Sequence, residues 1–516
     1  GGNDFSGSLR VNFDNDDWTD RATIDVDHED VTNETIEATL GGFLWKDKVW
    51  FFLAGRDREI DGAATTIQTN IPIIQGETEE RVEAKLTLSP HPNHRIVGSW
   101  FEIARDQKNN FFGNALDTTT VSDRSLPLEG KALNYTGVLT DSFFVEAQWS
   151  ERTFAFAGGG GQTQFDGSSF QSSVDTFAAG TWSYELPFGL TFVNAPVFCG
   201  VCKDEQRNNE NYLVKASYFL STDSMGSHEI VGGYDSFDDI RIADNHQSSS
   251  GFAVINFVPG DITGDPNTPY HPVFLPGAAW IWWTPILEES QGTSFKTNSV
   301  FVNDTWRFNE NFTFNIGFRH DANDGKNSVG QLITKDSKTS PRVGMSWDPK
   351  GDGDWIVNAS YGEYVGAIAN GVANNSSLGG EPAYFNWTYG GDAISGLSPH
   401  DAMAALGEWF FSTIGDPNGC QDVDFQCDQI VGNGAQYFDF AEIPGSSTKI
   451  QENLASPAAE EFSVGVTKRL GSRGVARVDY VHRDYNDFYA GVVDSTTGLD
   501  DNGITDLQII VNNDSD

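Results

Sequence analysis

Apolar and polar residues alternate with a period of two in segment after segment of this chain, which commits it to β structure: a helix cannot sort such a pattern onto separate faces. Between residues 81 and 88, Val82, Ala84, Leu86 and Leu88 fall on one face and Arg81, Glu83, Lys85 and Thr87 on the other. Phe143, Val145, Ala147 and Trp149 alternate with Phe144, Glu146, Gln148, Ser150 and Arg152. The pattern returns at Phe312, Phe314, Ile316 and Phe318 against Thr313, Asn315, Gly317 and Arg319. It recurs in Trp355–Tyr361 and again in Phe462–Thr467. These segments read as antiparallel strands with one apolar and one wet face.

The connections sort into two kinds. Short ones fall at Lys46 to Lys48, Ser89 to Arg95, Leu139 to Ser142, Ser221 to Ser227, Asn309 to Asn311, Asp348 to Asp354 and Gly471 to Gly474. Long polar ones run over 14–32, 59–77, 106–128, 157–208, 240–292, 321–338 and 367–459. Short turns at one rim and long loops at the other are the build of a transmembrane antiparallel β-barrel of the outer-membrane type, with the long loops outside. Seven turns join fourteen strands, and the opening run Phe5 to Phe13 makes about fifteen, an odd number where single-chain bacterial barrels are even. The expectation is therefore a wall that stops before closure, ending in the polar tail VNNDSD inside a further outer loop. Trp45, Trp50, Phe143, Trp306, Phe308, Trp347 and Trp355 sit beside the short turns, where an interfacial girdle belongs. The rival architecture is a large soluble β-sandwich, solenoid or propeller.

Composition agrees with strands: 13% of residues are aromatic and there are 54 Gly against 3 Met. No apolar run reaches the about 18 residues of a membrane helix. The start, GGNDFSGSLR, has neither a basic stretch nor an apolar run, so no signal peptide is read, and the expectation is that the protein is cytoplasmic or the chain is a mature piece or fragment. A net charge of −42 excludes a nucleic-acid backbone as partner.

Five stretches carry a family resemblance. They are GGNDFSGS at 1–8; SVFVNDTWRFNENFTFNIGFRHD from Ser299 to Asp321, a strand ending in Asp-x-Trp that turns into one ending in Gly-x-Arg-x-Asp; SPRVGMSWDPKGDGDWIVNASYGEYV from Ser340 to Val365; Pro457 to Leu470; and Val478 to Asp487. Together they make the chain resemble a TonB-dependent outer-membrane receptor of the Oar-like group. The resemblance implies that residues 1–516 are part of the β-barrel, about two thirds of a wall of ~22 strands, without the plug that fills such lumens and without the final strands. It also implies the outer membrane of a Gram-negative bacterium, a monomeric barrel in outer-membrane lipid, a TonB complex reached through an N-terminal region, and uptake of an unidentified extracellular ligand. No cofactor and no catalysis are expected. A passive porin or structural surface barrel and a secreted β-rich glycan-binding protein are the competing functions.

Four cysteines lie in two long loops, Cys199 with Cys202 and Cys420 with Cys427. The spacing leaves open a metal site, a redox motif, free thiols or two local disulfides; an oxidising cell surface favours the disulfides. The acidic stretches 14–20, 320–327 and 499–506 lack the full spacing of a calcium loop and read as solvated loops. Paired carboxylates are expected by chance among 74 acidic residues, and no catalytic motif stands out. The cluster WIWW, with Trp280, Trp282 and Trp283 as candidate ligand contacts, could stack a flat or sugar-like ligand or belong to a girdle or loop core. Arg81, Lys85, Arg152, Arg319, Arg342 and Arg477, with Glu83, Glu146 and Asp479, are expected on the lumen face.

Overall fold

The computed structural model describes residues 2–18, 30–65, 70–110, 122–158, 181–185, 190–194, 204–244, 252–258, 260–265, 268–368, 370–373, 376–415, 434, 436–446, 448–451, 453–494 and 507–513. Sixteen strands form one sheet. In sheet order they are Ser6–Asn15, Thr32–Trp45, Val49–Thr65, Pro72–His91, His94–Asn110, the segments Ser122–Ser125 and Leu128–Thr140, Phe143–Gly158, Glu205–Thr222, Gly226–Ile242, Thr293–Arg307, Phe312–Lys326, Leu332–Trp347, Trp355–Val365, Ala458–Leu470 and Gly474–Asn486. The segments Ser122–Ser125 and Leu128–Thr140 share one place between the same two neighbours, so the wall has fifteen positions, all antiparallel. Ser6–Asn15 and Gly474–Asn486 are its edges, and among the described residues no ladder joins them.

All seven short turns lie at one rim. Backbone geometry fixes some of their residues: at Gly226 φ is +74° and an added Cβ would stand 2.1 Å from the Arg307 carbonyl oxygen, a position open only to glycine.

Register assigns the faces. Leu53 pairs with Ala84 and Gly55 with Val82, which places Val82 and Leu86 on one side and Arg81 and Lys85 on the other. Across the rest of the wall the same rule groups Val145, Phe314, Ile316 and Val464 apart from Glu146, Gln148 and Asn315. Ile316 and Val343 pair directly and are 45% and 49% exposed, so no second layer covers this apolar face. The opposite face carries the cations and anions in ionic contacts. Arg56 and Arg105 both hold Glu79, Lys215 holds Glu146 at 2.5 Å, and Arg319 bonds Asp321 at 2.7 Å, Asp235 at 3.2 Å and Ser299 at 2.6 Å.

The apolar face has a regular vertical structure. Aromatic residues recur six positions apart in four strands: Phe143 and Trp149, Tyr218 and Tyr212, Phe312 and Phe318, Trp355 and Tyr361. That spacing is about 20 Å along a strand. Neighbouring rows align, Phe143 opposite Tyr218 and Trp149 opposite Tyr212. Two residues beyond the upper row the same face turns charged, at Glu102, Glu151, Glu210 and Glu363. Two aromatic rows bracketing an apolar band, with charge immediately above, is the profile of a bilayer-spanning wall. Polar pairs interrupt the band near the lower row: His228 Nδ1 lies 2.8 Å from Asp304 Oδ2 and its ring stacks on Trp306, and His94 Nδ1 lies 2.9 Å from the Tyr135 hydroxyl.

Several expectations need correction. Residues 59–77 and 321–338 are largely strand where they are described: Val49–Thr65 runs into the first and Pro72–His91 out of it, and Phe312–Lys326 and Leu332–Trp347 take up most of the second. The acidic stretch 320–327 is accordingly mostly strand, with Asn323 bonded to Thr297 and Ser456. Trp50 pairs with Phe43 and Thr87 on the wet face, outside the girdle, where its indole N–H donates to Asn3. The tail VNNDSD is strand as far as Asn513, since Leu507–Asn513 pairs with Phe488–Asp494.

Candidate ligand-binding face

Three of the long connections, distant in sequence, build a second sheet at the rim opposite the short turns. Its order is Phe438–Glu442, Tyr384–Thr388, Ala279–Trp283, Phe252–Asn256, Leu190–Asn194 and Thr181–Glu185. The helix Pro399–Thr413 covers one face. Ser398 caps it, accepting the Asp401 N–H at 3.2 Å, and a proline opens the first turn. Met403, Leu406 and Phe410, three and four residues apart, pack onto Val254, Ile281, Trp283, Phe385 and Trp387 in one apolar core.

The module is tied to the wall near the end of Gly226–Ile242. The Ser290 N–H donates to Asp244 Oδ1 at 2.6 Å, and beside it the Gly380 N–H joins two of the long connections by donating to the Glu288 carbonyl at 2.8 Å. Close by, the cross-strand pair Arg207 and Arg241 holds Glu205, at 2.8 and 3.3 Å. Burial pushes the Glu381 carboxyl above its ordinary range; Arg241 opposes the rise and the Glu205 carboxylate adds to it. Burial also raises the Tyr384 hydroxyl, helped by Glu442 and Glu381.

A carboxyl raised in the folded state costs stability only where the unfolded chain has already ionised. The penalty therefore opens above pH 4.5, the group's ordinary value, and is complete above the folded value. Glu381→Gln should gain stability over the parent as pH rises through that window and none below it. Paired urea titrations of the two proteins across pH check this; a constant difference would show that Glu381 is not the titrating group.

The cluster Ala279–Trp283 alternates. Ala279, Ile281 and Trp283 are buried, Trp283 at 2% exposure, and belong to the core beneath the helix. Trp280 and Trp282 occupy the other face, half-buried, opposite Thr388 and Asn386 respectively. Edge-to-face contacts hold the rings, Phe257 on Trp280 at 4.7 Å and Tyr384 on Trp282 at 5.7 Å. Asn386 Nδ2 donates to Asp439 Oδ2 at 3.2 Å, and the Thr388 hydroxyl donates to the same oxygen.

Two polar atoms on this face are buried without a partner: the Trp282 indole N–H and Asn386 Oδ1, on residues that are direct cross-strand neighbours. Asn386 is 1% exposed. The Trp387 indole N–H is also unpaired but lies on the helix side. Sequence reasoning found the tryptophans; it missed Asn386, Thr388 and Asp439, which only the pairing of distant segments brings beside them.

Cys199, Cys202, Cys420 and Cys427 lie outside the described residues, as does the acidic stretch 499–506. Among the described residues no group of three metal-ligating side chains converges.

No family model matches the chain, and no curated protein matches it. Among solved structures it is similar to the outer membrane transporter YddB from Escherichia coli, at TM-score 0.47 and 11% identity over 93% of this chain and 50% of that one. It is similar also to a mutant of the ferric enterobactin receptor PfeA from Pseudomonas aeruginosa, at 0.49 and 10% over 99% and 58%. A third is the siderophore receptor PirA from Acinetobacter baumannii, at 0.46 and 10% over 94% and 56%. The chain spans 50% to 58% of the length of these three proteins.

Proposed function

We propose that this chain is barrel wall of a TonB-dependent receptor of the Oar-like group in the outer membrane of a Gram-negative bacterium, taking up a ligand caught by its outer loops. The observation that carries the reading is the fifteen-position antiparallel wall with one uncovered apolar face, two aromatic rows and a charged opposite face. In this reading a plug outside the chain fills the lumen, and energy from the inner membrane moves it through a TonB complex. The charged face suits such a partner. A groove of about 500 Å³ lies between Arg10, Arg56 and Arg81 with Glu37 and Glu83, where charges already paired can exchange partners at low cost. The disulfides Cys199–Cys202 and Cys420–Cys427 belong to the same proposal, as braces within outer loops.

Two measurements test it. A fluorophore at Val343 in vesicle-reconstituted chain should be quenched by lipid-borne bromine, and one at Asn315 by aqueous iodide; aqueous quenching at both would favour a secreted protein. In cells, uptake that depends on the gene should stop when the inner-membrane proton gradient is collapsed. Gene-dependent uptake that survives the collapse would instead mark a passive porin.

A further inference from the structure

The face bearing Trp280, Trp282 and Tyr384 is unusual because its residues are large and aromatic yet form no part of the core beneath the helix. A sheet face outside a core is ordinarily polar. Here three rings stand at alternate positions of adjacent strands, in edge-to-face contact, so that aromatic surface is gathered on one side of the sheet. Beside them the unpaired Trp282 N–H and Asn386 Oδ1 supply one donor and one acceptor on neighbouring residues. A hydroxyl group both donates and accepts, and so answers the two together.

Charge narrows the chemistry. The six strands of this sheet contain no Lys, Arg or His, while Asp439 and Glu442 stand in its edge strand. Glu381 lies next to Tyr384. Within these strands a carboxylate, phosphate or anionic iron chelate finds no counter-charge, and the nearest described cations, Arg207 and Arg241, already hold Glu205. The Asp439 carboxylate is engaged by Asn386 and Thr388, which positions it as a hydrogen-bond acceptor.

We infer that this face binds a neutral oligosaccharide, its sugar rings lying on Trp280, Trp282 and Tyr384 and its hydroxyls pairing with the Trp282 N–H and the Asn386 carbonyl oxygen. The inference rests on the reading of the chain as a surface receptor and names its ligand class. Because both polar atoms are closed to water, the sugar reaches them by displacing the Trp282 indole, and binding changes tryptophan emission.

The test uses the whole chain folded in detergent micelles, with near-UV circular dichroism to verify the loop module. Neutral hexasaccharides built of glucose, mannose, galactose and N-acetylglucosamine are titrated and followed by calorimetry and tryptophan emission. At least one should bind. Trp282→Phe keeps a ring but lacks the donor and should bind it about tenfold more weakly, as should Trp280→Ala. The inference is overturned if none of the hexasaccharides binds the folded chain, if both variants bind as the parent does, or if a ferric catecholate chelate or a cationic peptide binds this face while the sugars are silent. Lipid quenching at Val343 is independent of these outcomes: a wall seated in lipid with no sugar binding refutes the ligand class alone, and a wall outside lipid refutes the receptor.

Discussion

Val343→Arg should abolish insertion of the chain into vesicles, whereas Asn315→Arg should leave it nearly intact. Val343 sits on the apolar face between Ile316 and Tyr361, four residues above Trp347, the cross-strand partner of Phe312 in the lower row, and has no covering layer. An arginine at bilayer mid-depth costs about 2–4 kcal/mol. Against a net stability on the order of 5–15 kcal/mol, that is a large fraction. Asn315 is on the adjacent strand but on the wet face, beside Gly344 and Thr305, and a guanidinium there stays in water. Heat-modifiable gel mobility after refolding into vesicles reads the inserted fraction of each. Equal insertion of both variants would mean that the two faces do not differ in solvent, and the membrane-spanning wall would fall with that result.

Phe410→Ala should unfold the outer module without unfolding the wall. Phe410 is fully buried and meets Phe252, Trp387 and Phe411 at ring distances of 5.8, 5.3 and 5.4 Å. Truncating a buried phenylalanine costs about 3–5 kcal/mol, and a small core has little in reserve. The wall draws its stability from its own ladders and from lipid, and meets the long connections through hydrogen bonds such as Ser290 to Asp244 and Ser328 to Ser377 and through a small apolar cluster, Phe295, Ile333, Ile368, Ala373 and Leu454, that is separate from the core beneath the helix. Hydrogen exchange should therefore become fast over 252–256, 279–283 and 399–413 while remaining slow over 312–347. Simultaneous loss of protection in both regions would show a single cooperative unit.

What the sequence made legible was whatever lies between the two aromatic rows. There one face meets hydrocarbon and the other water, so alternation is enforced at every residue, and the seven turns and fifteen wall positions followed from it. Past the upper row both faces are wet. Segments such as Gln75–Glu80 then lose their apolar period and look like loop, although the ladder continues. The outer sheet was hidden for another reason: AWIWW is apolar on both faces, YFNWT is too short to display a period, and their pairing brings together residues about a hundred positions apart. Trp280 and Trp282 could be picked out, but not separated from Trp283, because that needed to know which face the helix covers. Trp50 was misassigned because proximity to a turn does not tell which side of a strand a residue takes.

The alternation of the outer sheet also separates two kinds of mutational history. Positions 281, 283, 385 and 387 answer to the helix and hold the module together. Positions 280, 282, 384, 386 and 388 lie on the other side of the same strands, and replacing them leaves the helix interface as it is. Recognition can therefore drift along one side of the strands while the fold is conserved on the other. A chain so arranged can change what it captures by single substitutions, with no new loop and no rebuilding of the wall.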